Sequence, residues 1–380
     1  MPSLAKAIVQ MRRSGIREVM DLASTMRDVI HLELGEPSFD TPPHIVEAAH
    51  EAARQGYTRY TLNAGFRSLR EKLVQKLERV NGLRVTPDCI VVTAGSLGAL
   101  VDSIGAIVEP GDEVLVPDPG FPNYALTIGV MHGVARRYRL NPDNGFLPEI
   151  AAIESEIGPR TRAIVVNSPS NPTGSVTPRE TVQAIVELAR KHDLFVISDE
   201  VYEQIVFEGE HVSPALFDRD GRVIAVFSFS KTYAMTGWRL GYLVASPDVA
   251  PILVKMQEPT VSCASAISQK AGEAALDGPQ DCVATMCAAY RRRRDLAVDL
   301  LTELGVPFSL PHGAFYLMVD VSRKGLDSYA FAKALLMETR VAVAPGETFG
   351  PTARNYVRLS LAPSEDTLAE GIKRLGQFLG

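Results

Sequence analysis

Lys231 leaves an apolar run, residues 223–227, at the head of the stretch FSFSKTYAMTGWRLGY (residues 227–242). Ser228 and Ser230 stand beside it, Arg239 follows, and a second apolar run covers residues 240–245. The first run reads as a buried strand. An ammonium at the end of a buried strand is poorly solvated, and desolvation lowers its pKa. A neutral amine in that position can form a Schiff base with a carbonyl. Two hydroxyls and a guanidinium, with its planar fork of donors, can hold a phosphate. A lysine beside phosphate ligands is the equipment for covalently held pyridoxal 5'-phosphate (PLP). Taken alone, SxSK describes many surface lysines, so further chemistry must appear elsewhere in the chain.

It does. Residues 90–93 read as a short strand running into AGSLGAL (residues 94–100) and an apolar helix. Gly95, Ser96 and Leu97 open that helix, where free N–H groups and the positive end of the helix dipole favour an anion. Residues 194–198 read as another strand, ending in Asp199, Glu200 and Tyr202. A carboxylate at the C-terminal end of such a strand faces the binding crevice of an open α/β sheet. The strand at 163–167 runs into NSPSNPTG (residues 167–174), where prolines fix a turn that presents Asn171. DPGFPNY (residues 118–124) places Phe121 and Tyr124 on a loop. Gly35 in LELGEPSFD (residues 32–40), read as strand then turn, permits close backbone approach. Arg358 lies inside the apolar strand around YVRLS and calls for an anionic partner. Singly, a turn glycine, a loop phenylalanine or an acidic pair after a strand is ordinary packing chemistry.

The elements between these motifs are also legible. Residues 43–56 and 65–82 read as helices, and Thr177 to Glu180 (TPRE) as a capping box opening another. A long helix is expected over 282–305, with the charge run 291–294 as a solvated face, and a strand over 311–318. Strands alternate with helices from about 45 to 275, as in an α/β fold.

Together, SFSKTYAMTGWRLGY, NSPSNPTG, DEVY, GAFY and VRLS resemble the fold-type I, class I and II aminotransferases, in the family's order and over the chain from about Ser14 onward. The resemblance implies a large domain with a mainly parallel seven-stranded sheet flanked by helices. A smaller α+β domain would come from both chain ends, with bounds at 1–42, 43–280 and 281–380. It implies PLP held by Lys231, whose amine then moves the substrate's α-proton. Asp199 would keep the pyridine nitrogen protonated, Tyr202 would bond the ring oxygen, and Phe121 would stack on the ring. Asn171 would face both ring and substrate. Gly95, Ser96, Leu97, Ser228 and Arg239 would hold the phosphate, and Arg358 the substrate α-carboxylate. Gly35 would lie over the substrate, and SGIR (residues 14–17) would turn Ile16 toward it. Tyr60, in YTRYTLNAG, would reach the phosphate of the neighbouring subunit, so a homodimer with shared active sites is implied.

The 380 residues are 46% hydrophobic and 22% charged, enough for about two globular domains with sizeable cores. A net charge of −6 speaks against nucleic acid or an anionic membrane surface as partners. Cys89, Cys263, Cys282 and Cys287 show neither CxxC nor metal spacing and read as reduced thiols of a cytoplasmic protein. No apolar stretch is long enough to span a bilayer, and residues 1–20 lack an apolar signal core. Some family members acting on acidic substrates carry lysine where Leu97 stands. Leu97 cannot pair a carboxylate, so the expected donor is a neutral, apolar or aromatic L-amino acid, passing its amino group to 2-oxoglutarate or pyruvate. Aspartate transamination and a PLP lyase or decarboxylase are the alternatives. A regulatory relative fused to a DNA-binding module is not expected, because the family segment starts near residue 14.

Overall fold

The computed structural model describes residues 14–380, together with Pro2, Leu4, Ile8, Val9 and Met11. The expected absence of a signal core therefore falls largely on residues outside the described set. The described residues form thirteen strands: β1 (Ile30–His31), β2 (Ile90–Thr93), β3 (Glu113–Asp118), β4 (Val134–Arg139), β5 (Thr161–Asn167), β6 (Phe195–Asp199), β7 (Val223–Ser228), β8 (Gly241–Val244), β9 (Phe308–Ser309), β10 (Tyr316–Asp320), β11 (Val341–Ala342), β12 (Ala344–Pro345) and β13 (Tyr356–Ser360). Seven form one sheet in the order β2-β8-β7-β6-β5-β3-β4. Only β8 runs antiparallel to its neighbours. Strands β2, β3, β7 and β8 are buried at every position, as expected where helices cover both faces of a sheet. Edge strand β4 instead carries Arg136, Arg137 and Arg139 and is largely open to water.

Register sets the site. Asn167 of β5 lies opposite Asp199 of β6, Asp199 opposite Val226 of β7, and Gly241 of β8 opposite both Ser228 and Thr93. The polar ends of four strands are thus brought into one row at one edge of the sheet. A second, antiparallel sheet has the order β12-β13-β10-β9, and β1 pairs in parallel with β11. Its core joins Leu32, Phe315, Leu317, Val357, Leu359 and Leu375, so N-terminal and C-terminal segments share one apolar interior. Each such side chain contributes about 1.5–3 kcal/mol on burial.

Four local expectations need correction. The capping box at 177–180 does not form: Pro178 holds the N-cap of helix Arg179–Lys191 with no side-chain cap, and Thr177 is buried, its N–H donating to Ser168 Oγ at 2.9 Å. The strand expected from 311 begins only at Tyr316, because His312 and Gly313 donate to the carbonyl of Gly174 and form a turn. The strand expected at the start of 32–40 lies two residues earlier, where β1 finds β11. Arg293 and Arg294 are buried, not solvated. Helix Asp281–Glu303 presents Arg293 to Ser38 Oγ (3.1 Å) and the Ala362 carbonyl, and Arg294 to the Pro311 carbonyl (3.0 Å) and Glu208 (2.9 Å). All four cysteines are unpaired. Among the described residues no helix is long and apolar enough to cross a membrane, and no acidic, histidine and cysteine cluster could hold a metal ion.

Candidate active site

The polar strand ends open onto a cleft of about 700 Å³. Strand β7 ends at Ser228, whose hydroxyl accepts the Ser230 N–H at 3.1 Å and starts the short helix Phe229–Thr232. That single turn carries Lys231 into the cleft, where Nζ donates to the Gly35 carbonyl. Burial pulls the Lys231 ammonium down to about 8; Arg358 and Arg239 push the same way, while Glu36 and Asp199 oppose. An amine near that value is neutral often enough at physiological pH to take up a proton.

At one end of the cleft, Gly95 follows β2 and opens helix Gly95–Ile107 at φ +73°, with no side-chain cap over the first turn. A Cβ on Gly95 would lie 2.5 Å from Arg239 Nη2, so the guanidinium rests directly on this glycine. Ser96, Leu97, Ser228, Ser230 and Arg239 line the cleft here. Uncapped N–H groups, hydroxyls and a guanidinium converge as a phosphate cradle requires.

Asp199 lies elsewhere in the cleft, buried at the end of β6. Tyr124 donates its hydroxyl to Oδ2 at 2.6 Å, and the Val201 N–H approaches Oδ1 at 3.4 Å. Burial pushes this carboxyl up to about 6, against the opposing Tyr124 hydrogen bond. A buried carboxylate raised in this way gains most from a cationic partner, such as a protonated pyridine nitrogen. Asn167 ties the row together: Nδ2 donates to the Asp199 carbonyl (2.9 Å) and Oδ1 accepts the Asn171 N–H (2.8 Å). Phe121 meets Tyr124 edge to face, with ring centroids 5.6 Å apart, and lines the cleft.

The opposite wall comes from the chain ends. Arg358 on β13 is 2% exposed, yet Nη1 donates to Asn171 Oδ1 (2.9 Å) and Nη2 to the Glu33 carbonyl (2.5 Å), while Nε has no partner. Its guanidinium stacks 4.2 Å from the Tyr316 ring centroid and 4.9 Å from that of Phe349. Tyr316 also shares a hydrogen bond with the Tyr202 hydroxyl at 2.8 Å. A Cβ on Gly35 would lie 2.5 Å from Tyr316 Oη, which explains a glycine there. Ile16 lines the same wall.

Every expected site residue except Gly95 and Tyr60 thus lines the cleft, and Gly95 lies just behind it under Arg239. Tyr60 does not join them: it is 91% exposed and borders a separate surface depression with Tyr57, Arg59 and Ile267. Sequence reasoning missed Tyr316, Asn167 and Glu36, and quoted Tyr124 without its bond to Asp199. The glycine cradle, the raised carboxyl and the lowered lysine all fit PLP.

Comparison with known proteins agrees. The family model described as "Aminotransferase class I and II" matches residues 27–375. An aspartate/prephenate aminotransferase of Thermus thermophilus is 40% identical over 379 residues, covering 99% of this chain and 94% of that protein. An aromatic-amino-acid aminotransferase of Thermococcus litoralis is 35% identical, covering 99% of this chain and 98% of that one. The solved structure of Thermus thermophilus aspartate aminotransferase with maleate superposes with a TM-score of 0.95 at 39% identity, covering 99% of this chain and all of that one. The chain belongs to the class I and II aminotransferases. It is therefore a PLP-dependent transaminase of fold type I, acting on amino acids and 2-oxo acids.

Proposed function

We propose that the chain moves the amino group of a neutral, apolar or aromatic L-amino acid to a 2-oxo acid such as 2-oxoglutarate or pyruvate. The observation that carries this reading is Leu97, 37% exposed in the cleft lining, where a cation would be needed to pair a side-chain carboxylate. When bound, PLP supplies an electron sink for the carbanion left by loss of the α-proton. The chain's own groups do the rest. Lys231 Nζ is the covalent attachment point and, once free, carries the α-proton as base and then acid. Asp199 would keep a proton on the pyridine nitrogen, with its carboxylate oriented by Tyr124. Tyr202, held by Tyr316, would donate to the ring oxygen. Gly95, Ser96, Leu97, Ser228 and Arg239 would hold the phosphate, and Phe121 would stack on the ring. Arg358 binds the α-carboxylate, with Asn171 and Gly35 closing over the substrate.

Tyr60 belongs to this reading only through a second copy of the chain. Its 91% exposure outside the cleft, with Leu62 67% exposed nearby, supports a homodimer in which it reaches the partner's phosphate site. The unpaired thiols support a cytoplasmic location. The sharing of one core by Leu32 and the C-terminal sheet supports domain bounds at 1–42, 43–280 and 281–380. Aspartate as donor is the second reading, favoured by relatives that carry that name. A screen of amino donors against 2-oxoglutarate and pyruvate decides: neutral donors should lead, and a strong preference for aspartate would sink the reading. Release of ammonia or an amine without stoichiometric amino transfer would mark a lyase or decarboxylase.

A further inference from the structure

Four cationic side chains line the cleft among the described residues: Lys231, Arg239, Arg358 and Arg17. The first three have work, at the covalent link, the phosphate and the α-carboxylate. Arg17 has none: its side chain makes no hydrogen bond or ion pair with any described residue. We propose that Arg17 is a specificity-determining residue that binds the distal carboxylate of the dicarboxylic couple, 2-oxoglutarate and glutamate. The proposal rests on the reading of the cleft given above, with Arg358 on the α-carboxylate.

The helix Gly15–Ser24 explains how the guanidinium is aimed. Gly15, Val19 and Ala23 recur every fourth residue and form its buried face. A Cβ on Gly15 would lie 2.3 Å from Tyr329 Cε1 and 2.4 Å from Thr348 Oγ1, so the helix start is seated against the C-terminal body and cannot roll. With that face fixed, Ile16, Arg17 and Met20 turn to the cleft. Ile16 and Met20 are apolar, as are Leu97 and Leu126 elsewhere in its lining. A neutral substrate side chain finds apolar surface there. A distal carboxylate finds no cation at Leu97, whereas Arg17 offers a planar, two-donor fork whose charge is unpaired among the described residues. Arg17 is exposed, so its stem can lie along the apolar wall while the head stays in water until a carboxylate arrives.

The test uses the PLP-loaded enzyme and two non-reacting probes, glutarate and butyrate, which share one carboxylate and differ by the distal one. Their dissociation constants are measured by calorimetric titration for wild type, Arg17→Met, Arg17→Lys and Arg17→Glu. In Arg17→Met the glutarate-to-butyrate affinity ratio should fall by about three- to fivefold, the upper scale of an exposed ion pair. Arg17→Lys should recover part of the ratio, and Arg17→Glu should lower it further. The kcat/KM ratio of 2-oxoglutarate over pyruvate should move in parallel. Should Arg17→Met not fold, Arg17→Glu reads the same ratio. An unchanged ratio, or an equal loss for both probes, overturns the assignment of Arg17 and leaves the neutral-donor reading intact. A screen in which aspartate outruns every neutral donor, with the ratio still falling in Arg17→Met, overturns the neutral-donor reading and leaves Arg17 in place.

Discussion

On the sheet side of the cleft, Asn167, Asp199 and Ser228 sit on strand ends whose register is fixed by the ladder, and each has a bonded partner. The more exposed groups of the cleft differ: Ile16, Arg17 and Met20 sit on the surface helix of the opposite wall, and Leu97 is partly exposed at the first turn of the helix after β2. Buried groups on the first side have shifted pKa values and little freedom, which suits chemistry common to every substrate. The exposed groups keep side-chain freedom and contact with water, which suits discrimination between substrates. Perturbing the buried groups, Arg358 among them, should change rate for all donors alike, whereas perturbing the exposed ones should change ratios between donors.

The largest effect belongs to Lys231→Ala. It removes the covalent link and the proton carrier together, so turnover should fall by at least about 10²–10⁴-fold for every donor, and the yellow colour of the lysine-bound cofactor should be lost. Residual turnover within tenfold of wild type would refute the assignment.

Asp199→Asn comes next. Loss of one buried charge that stabilises the developing charge should cost about 10²–10³-fold in single-turnover proton abstraction, with a much smaller change in substrate binding. The cofactor-free protein offers an independent check. Burial raises this carboxyl from 3.8 to about 6, so the folded state binds its proton more tightly than the unfolded chain. That contribution to stability is complete below 3.8 and is lost as pH rises through about 6. Wild type should therefore lose thermal stability relative to Asp199→Asn between pH 4 and pH 7. A constant gap would show that the carboxyl is not raised.

Arg358→Ala removes a bidentate grip on the α-carboxylate and should lower kcat/KM by about 10–100-fold, by a similar factor for aromatic, aliphatic and acidic donors. A loss confined to one donor class would place Arg358 among the discriminating groups. The smallest effect is expected from Leu97→Lys. A cation at this partly exposed position should shift kcat/KM toward aspartate and glutamate by only a few-fold, since an exposed ion pair is worth about 0–1 kcal/mol. An effect on all donors alike would break the contrast between buried and exposed groups.

The same contrast marks how far the sequence could be read. Lys231, Asp199 and Asn171 follow runs of buried residues and sit in turns whose motifs are local, so their positions were legible. The partners that hold them were not. Tyr124 reaches Asp199 across 75 residues of chain, and Tyr316 reaches Tyr202 across 114, pairings that no periodicity encodes. Arg293 and Arg294 were misread for the same reason, since Ser38, Ala362, Glu208 and Pro311 reach them from distant loops, which a charge run does not announce. Arg17 was visible in SGIR only as part of a motif. Its orientation depends on Gly15 meeting Tyr329 and Thr348.

On the proposed reading Lys231, in the helical turn that follows β7, holds PLP. Borohydride reduction of the native enzyme followed by peptide mapping tests it most directly. The pyridoxyl group should be found on the peptide containing Ser228, Ser230 and Lys231, and modification of any other lysine in its place would contradict the account.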